Sequence, residues 1–199
     1  MNNIEQFEHL VSQYFGSPYA VAVDCCTHAI ELCLRYTKPD YVTCPTHTYI
    51  SIPFTFQKLN INWAFRPEEW KEYYHIGNTN IIDAAVLWKA HSYLPGKMMC
   101  LSFQFKKHLN LGRGGMILLD DYESFKHLKK LRYDGRADNI PWAEQNIDTM
   151  GYHYYMTPET AWQGIEKFYK VKDKDPKHWT FLDYPDLTRM KIFNEIKCE

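Results

Sequence analysis

Apolar residues open the chain at three- and four-residue spacing: Ile4, Phe7, Leu10, Val11 and Tyr14 share one face of a helix, which Gly16-Ser17-Pro18 stops. The next apolar run, Tyr19 to Asp24, is unbroken and of strand length, and helical spacing resumes at Ile30, Cys33, Leu34 and Tyr36. The alternation then repeats. Tyr41 to Cys44 reads as a strand, Pro45 as a turn, about Tyr49 to Lys58 as a helix, and Ile61 to Phe65 as a strand. Asn80 to Asp83 reads as a buried strand ending in a carboxylate, and Met98 to Phe103 as another ending in polar residues. Gly112-Arg113-Gly114-Gly115 marks a turn before the strand Met116 to Leu119, and Tyr122, Phe125 and Leu128 share the face of the helix that follows. Thr157-Pro158-Glu159 supplies a capping hydroxyl, a proline for the first helical position and an acid in the first turn, so it starts a helix with Ile165, Phe168 and Tyr169 on one side. Beyond Lys170 the chain is charged and aromatic without a period. Strands alternating with helices predict an α/β fold, three layers α/β/α around a mostly parallel sheet. No repeat, low-complexity tract or linker divides it, so residues 1–199 are expected to form a single unit.

Composition narrows the classes. A 45% apolar, 16% aromatic chain of 199 residues fills a core, and 23 basic against 24 acidic side chains give no global field for a nucleic acid. No apolar run approaches the roughly 20 residues of a membrane helix, and the N-terminus lacks a basic stretch followed by an apolar one. Secretion and membrane spanning are therefore not expected. Cys25, Cys26, Cys33, Cys44, Cys100 and Cys198 show no CxxC spacing, which suits reduced, mostly buried thiols in a cytoplasmic protein. The nine histidines include no metal spacing, and His75, His91 and His127 read as surface or packing residues; Lys172-Asp173-Lys174-Asp175 interleaves its charges as a solvated face does.

Three strand ends carry residues of the kind that pyridoxal phosphate uses. Cys26-Thr27 sits where a strand turns into a helix, so unpaired helix N–H groups and the Thr27 hydroxyl suit a phosphate dianion, although Thr27 taken alone fits a plain N-cap better. Asp83 ends an apolar strand, where an ionised group is costly unless paired; a pyridinium N–H would be such a partner, and capping of a following helix is the alternative. Lys107, five residues after Ser102, leaves the strand that holds Cys100 to Phe103; to attack a carbonyl its amine must lose its proton, which burial or the neighbouring charge of Lys106 promotes.

Taken in order, Tyr19 to Ile30, Cys44-Pro45-Thr46-His47-Thr48-Tyr49-Ile50-Ser51, Asp83-Ala84-Ala85, Leu101-Ser102-Phe103 through Lys107, Gly112-Arg113-Gly114-Gly115 and Gly151-Tyr152-His153-Tyr154-Tyr155-Met156-Thr157 resemble the DegT/StrS-type sugar aminotransferases, fold-type-I pyridoxal-phosphate enzymes. The resemblance covers about residues 15–170. It implies Lys107 as the Schiff-base lysine and proton shuttle, Asp83 as partner of the pyridine nitrogen and Ser102 as a phosphate ligand. It places Cys26 and Thr27 where a Gly-Thr pair binds phosphate and Tyr49 where an aromatic stacks on the cofactor ring. His153 stands where an asparagine reaches the phosphate of the neighbouring subunit, which implies a homodimer with shared active sites.

The implied activity is transfer of an amino group from an amino acid such as glutamate to a keto sugar, nucleotide-linked. The departures are Cys26 for glycine, Val86 for glutamine, Gln104 for histidine, His153 for asparagine and Tyr155 for arginine. A side chain at Cys26 is expected to crowd the phosphate turn. The stretch from Phe65 to Asp83 is shorter than the family norm, and 171–199 stands in place of the family's small domain. Two alternatives follow: a catalytically impaired scaffold or partner subunit, and a sugar dehydratase or epimerase, the latter opposed by the presence of Lys107.

Overall fold

The computed structural model describes residues 1–196. Helix α1 (Asn3–Phe15) starts at a reciprocal cap, Asn2 accepting from the Glu5 N–H and Glu5 from that of Asn2, and ends at Gly16 with φ 81°. Strand β1 (Tyr19–Val23) leads into α2 (Cys26–Thr37), and β2 (Tyr41–Pro45) into α3 (Ser51–Lys58), which begins two residues later than the spacing predicts and leaves Tyr49 in the turn before it. Then come β3 (Asn62–Arg66), the two-residue β4 (Tyr74–His75), β5 (Ile81–Asp83), β6 (Met98–Ser102), β7 (Gly115–Leu119), α4 (Tyr122–Leu131), α5 (Pro158–Val171) and α6 (Lys191–Ile196).

The three layers are as expected, and the strand directions are not. The main sheet runs β1-β7-β6-β5-β4, with only β5 and β6 parallel; β2 and β3 form a separate parallel pair. A parallel neighbour needs a crossover, usually helical. Residues 103–114, which join β6 to β7, contain no helix, so β7 returns antiparallel to β6 and brings β1 in antiparallel on its other side.

The strands bury both faces. Ala20, Ala22, Met99, Leu101, Met116 and Leu118 face α1 and α5, while Val21, Val23, Cys100, Ile117 and Leu119 face the core that α2 shares with Leu128 and Leu131 of α4. On α5, Ala161, Ile165 and Phe168 form the buried stripe, and Gly164 lets the helix close on α1: a Cβ there would stand 2.7 Å from the Phe7 ring. Tyr169, expected on that stripe, is exposed, because the apolar arc follows Ala161 rather than continuing past Phe168. Cys26, Cys33, Cys44 and Cys100 are buried and Cys25 half-buried; Cys198 lies outside the described residues. Among the described residues, no helix is long and apolar enough to cross a membrane.

The register sets the functional edge. Val23 pairs with Gly115, Gly115 with Ser102, and Asp83 with Cys100, so the ends of β1, β5 and β6 lie together. Gly115 allows the approach: a Cβ on it would meet the Cys25 carbonyl carbon and the Cys26 nitrogen at 2.5 and 2.6 Å. After α5 the chain folds back over this edge. Glu72 and Phe181 donate their N–H groups to the carbonyls of Trp179 and Trp70, and Leu187 donates to Thr46.

Candidate active site

A cavity of about 560 Å³ opens at this edge, lined by Cys26, Thr27, Tyr49, Asp83, Ser102 and Lys107 together with Tyr74, Trp179 and Tyr184. Six of the seven residues singled out in the sequence thus share one space. The seventh, His153, lies outside it, exposed and hydrogen-bonded through Nδ1 to Asp134 at 2.8 Å.

One end of the cavity is the N-terminus of α2. Cys25 occupies the cap position with no side-chain cap bond, and the first N–H to bond back is that of Ala29, to the Cys25 carbonyl at 3.0 Å. The N–H groups of Cys26, Thr27 and His28 therefore remain for an anion at the helix mouth. Thr27 lies inside the first turn, not at the cap, and its hydroxyl is 2.7 Å from that of Ser51. The Cys26 side chain does not crowd this turn: its thiol turns into the core and donates to the Cys100 carbonyl at 3.5 Å.

Asp83 forms the buried floor. Its Oδ1 accepts from the Ala85 N–H at 2.9 Å and its Oδ2 from the Tyr74 hydroxyl at 2.5 Å, while the Tyr74 hydroxyl also contacts that of Thr48. No helix follows Asp83, so it caps none. Burial pushes its carboxyl above the usual range, against the lowering influence of Tyr74, Ala85 and the charge of Lys107. Two donors leave carboxylate lone pairs for another partner.

Lys107 sits in the loop after β6, where its N–H bonds to the Gln104 carbonyl at 2.8 Å. Its Nζ donates to the Tyr184 hydroxyl at 3.3 Å and stands 5.0 Å from the centre of the Trp179 ring. Burial pushes the amine below its ordinary range; Asp83 and Cys26 oppose that, and the charges of Lys106 and Lys177 add to it. Burial likewise raises the Tyr184 phenol, with Asp83 nearby, so the phenol stays neutral beside the amine.

Sequence reasoning missed Tyr74, Tyr184 and Trp179. It also missed a group behind the cavity-lining Arg113, where His28 Nδ1 is 2.6 Å from Asp24, Arg113 binds the other Asp24 oxygen at 2.7 Å, and the His28 ring stacks on Tyr154 at 3.6 Å. Burial opposes charge on His28, but Asp24 and Cys25 outweigh it and push the imidazole up to about 9.

Residues 1–65 and 94–179 match the model of the DegT/DnrJ/EryC1/StrS aminotransferase family. The chain belongs to that family. Asp83 and Tyr74 lie between the two matched stretches, and Tyr184 lies beyond them. Among solved structures, the fold is similar to AtS13 from Actinomadura melliaura, with a TM-score of 0.74 at 18% identity over 86% of this chain and 60% of that one. The sugar aminotransferase CalS13 from Micromonospora echinospora gives 0.69 at 14% identity over 86% and 61%, and Helicobacter pylori PseC, an aminotransferase involved in the biosynthesis of pseudoaminic acid, gives 0.66 at 12% over 86% and 58%. The chain thus spans about 60% of the length of these structures. No curated protein matches it.

Proposed function

We propose that this protein is a pyridoxal-phosphate-dependent aminotransferase that moves an amino group from an amino acid such as glutamate to a nucleotide-linked keto sugar. The observation that carries the proposal is one cavity holding a half-buried lysine amine, a buried carboxylate and an open helix N-terminus. The donor set fits the cofactor, a dianion at one end, a ring nitrogen at the floor and an aldehyde near the amine. Cys26, Thr27 and Ser102 would hold the phosphate, Asp83 the ring nitrogen, Lys107 the aldehyde carbon, and Tyr49 would cover the ring. When bound, pyridoxal phosphate supplies covalent capture of the amino group and a ring that withdraws an electron pair from the substrate carbon.

The protein's part is placement and proton transfer. Asp83 keeps a proton on the ring nitrogen. Lys107 Nζ, eased toward its neutral form by burial, takes a proton from the substrate carbon of the donor and returns one on the acceptor side. In a cytoplasmic homodimer His153, exposed and outside its own cavity, would help hold the phosphate in a second copy. The described residues form one cofactor-binding unit equivalent to the family's large domain.

The test is direct. Protein incubated with pyridoxal phosphate is reduced with borohydride and its peptides are mapped. A stoichiometric adduct on Lys107, abolished in Lys107→Ala and weakened in Asp83→Asn, is the expected result, followed by turnover of a keto sugar with an amino donor. A folded protein that takes no adduct at Lys107 overturns the proposal and favours a scaffold.

A further inference from the structure

Lys107 does not stand alone in the cavity. The segment beyond α5 carries Trp179 and Tyr184 back to it, and both touch the amine: Tyr184 Oη accepts from Nζ at 3.3 Å, and the Trp179 ring lies 5.0 Å from it. The segment is anchored at and between these contacts, by the Glu72 N–H on the Trp179 carbonyl, the Phe181 N–H on the Trp70 carbonyl and His47 Nδ1 at 2.8 Å from the Tyr184 carbonyl oxygen, and just beyond them by the Leu187 N–H on the Thr46 carbonyl. Tyr184 also packs its ring against Trp70, at 5.5 Å between centroids.

A lysine side chain has four rotatable bonds, and an unrestrained amine samples many positions that do not face a substrate. Two contacts to Nζ from a tethered segment remove most of that freedom. The phenol oxygen and the indole face both favour the ammonium, and they restrain Nζ while holding its proton less firmly than a paired carboxylate would. Trp179 is the last residue of the stretch that matches the family, and Tyr184 lies five residues beyond it.

We propose that Tyr184, with Trp179 beside it, is a positioning residue for Lys107, a clamp from the C-terminal segment that holds the amine over the cavity. This deepens the proposed function and rests on Lys107 being the residue that captures the cofactor. The clamp aligns the amine for capture and receives it whenever it is released during turnover.

The test begins with the full chain free of cofactor. Lysines are methylated with formaldehyde and cyanoborohydride over a pH series, and Lys107 and Lys106 are followed separately by peptide mass spectrometry. Burial lowers the Lys107 midpoint, the charges of Asp83, Cys26, Lys106 and Lys177 act on it, and the Tyr184 phenol faces the amine. Tyr184→Phe keeps the ring on Trp70 and removes only the acceptor, so the midpoint of Lys107 moves down while that of Lys106 and the folding stability stay put. Trp179→Leu moves the Lys107 midpoint the same way, and Trp179→Phe, which keeps an aromatic face, restores most of it.

In a second readout, capture of pyridoxal phosphate by Lys107, compared at equal fractions of neutral amine, slows about fivefold in Tyr184→Phe, the size expected for one hydrogen bond. An unchanged Lys107 midpoint in Tyr184→Phe, or an equal shift at Lys106, overturns the clamp. If wild type captures no cofactor at Lys107, the proposed function fails, and the midpoint comparison in cofactor-free protein still decides whether Tyr184 holds the amine.

Discussion

Asp83 should cost the fold stability at neutral pH, and Tyr74 should limit that cost. The carboxylate is buried on an apolar strand with two donors, Ala85 and Tyr74. A hydrogen bond to a charged group contributes about 1.5–3 kcal/mol, so Tyr74→Phe is expected to destabilise by about 2 kcal/mol, with the Thr48 hydroxyl losing its partner as well. For 199 residues the unfolding entropy is about 0.4 kcal/mol/K, which makes this a fall in Tm of about 5 °C. Asp83→Asn should behave in the opposite way, because it removes a buried charge whose pKa is raised by folding. A carboxyl raised in the folded state contributes stability that is complete below its unfolded pKa and lost as pH rises through the folded one. At neutral pH Asp83→Asn therefore holds or raises stability, and its advantage over wild type disappears as the pH falls toward the unfolded value. In Asp83→Asn, Tyr74→Phe should cost only about 1 kcal/mol, the value of a neutral bond, giving a coupling of about 1 kcal/mol in the double-mutant cycle. Urea denaturation of the four cofactor-free proteins at two pH values measures every quantity. A loss of more than about 1 kcal/mol in Asp83→Asn at neutral pH, or no coupling between the two sites, would refute the assignment of Tyr74 as the charge's main internal support.

His28 is raised from its ordinary value near 6.5 to about 9, so the stability it contributes is present below pH 6.5 and is lost as pH rises through about 9; His28→Gln should flatten that decline, and NMR titration of the ring should find it protonated at neutral pH. Among the five described cysteines only Cys25 is not buried, so iodoacetamide should label it first, and pyridoxal phosphate should protect it; comparable labelling of Cys33 or Cys44 would contradict the fold. Arg132, 2% exposed, binds Glu8 at 2.5 Å and Asp138 at 2.9 Å; Arg132→Met leaves two acids with only Lys129 between them and should cost about 3 kcal/mol, the low end for a broken buried pair, seen as a Tm about 7 °C lower.

The parts of the site that local pattern could reveal are those that sit at the ends of regular elements. Asp83 stood out because a charge closes an apolar strand, and Cys26-Thr27 because a strand turns there into a helix. The strand directions were not legible, since period and length are the same for parallel and antiparallel strands and only the connection distinguishes them; the helix-free loop 103–114 was the available signal. Tyr74 left no trace of its role, being half of a two-residue strand that pairs with β5.

Trp179 and Tyr184 show the limit most clearly. They lie 72 and 77 residues from Lys107 along the chain, in a segment whose aromatics follow no period because a three-residue 3₁₀ turn, Phe181–Asp183, and backbone bonds hold it rather than a long helix or strand. A pattern search finds residues that a regular element presents to a core, and these two are presented to the cavity, where Trp179 faces the amines of Lys107 and Lys177 and Tyr184 meets Lys107 and Trp70. What the sequence did carry was an excess of aromatic residues in a charged stretch, at Trp179, Phe181 and Tyr184. A segment with no helical face to bury has little use for such side chains unless it lies against something. Here it lies against Lys107, among the described residues the lysine whose amine burial draws toward its neutral form, and Trp179 and Tyr184 line the cavity beside it.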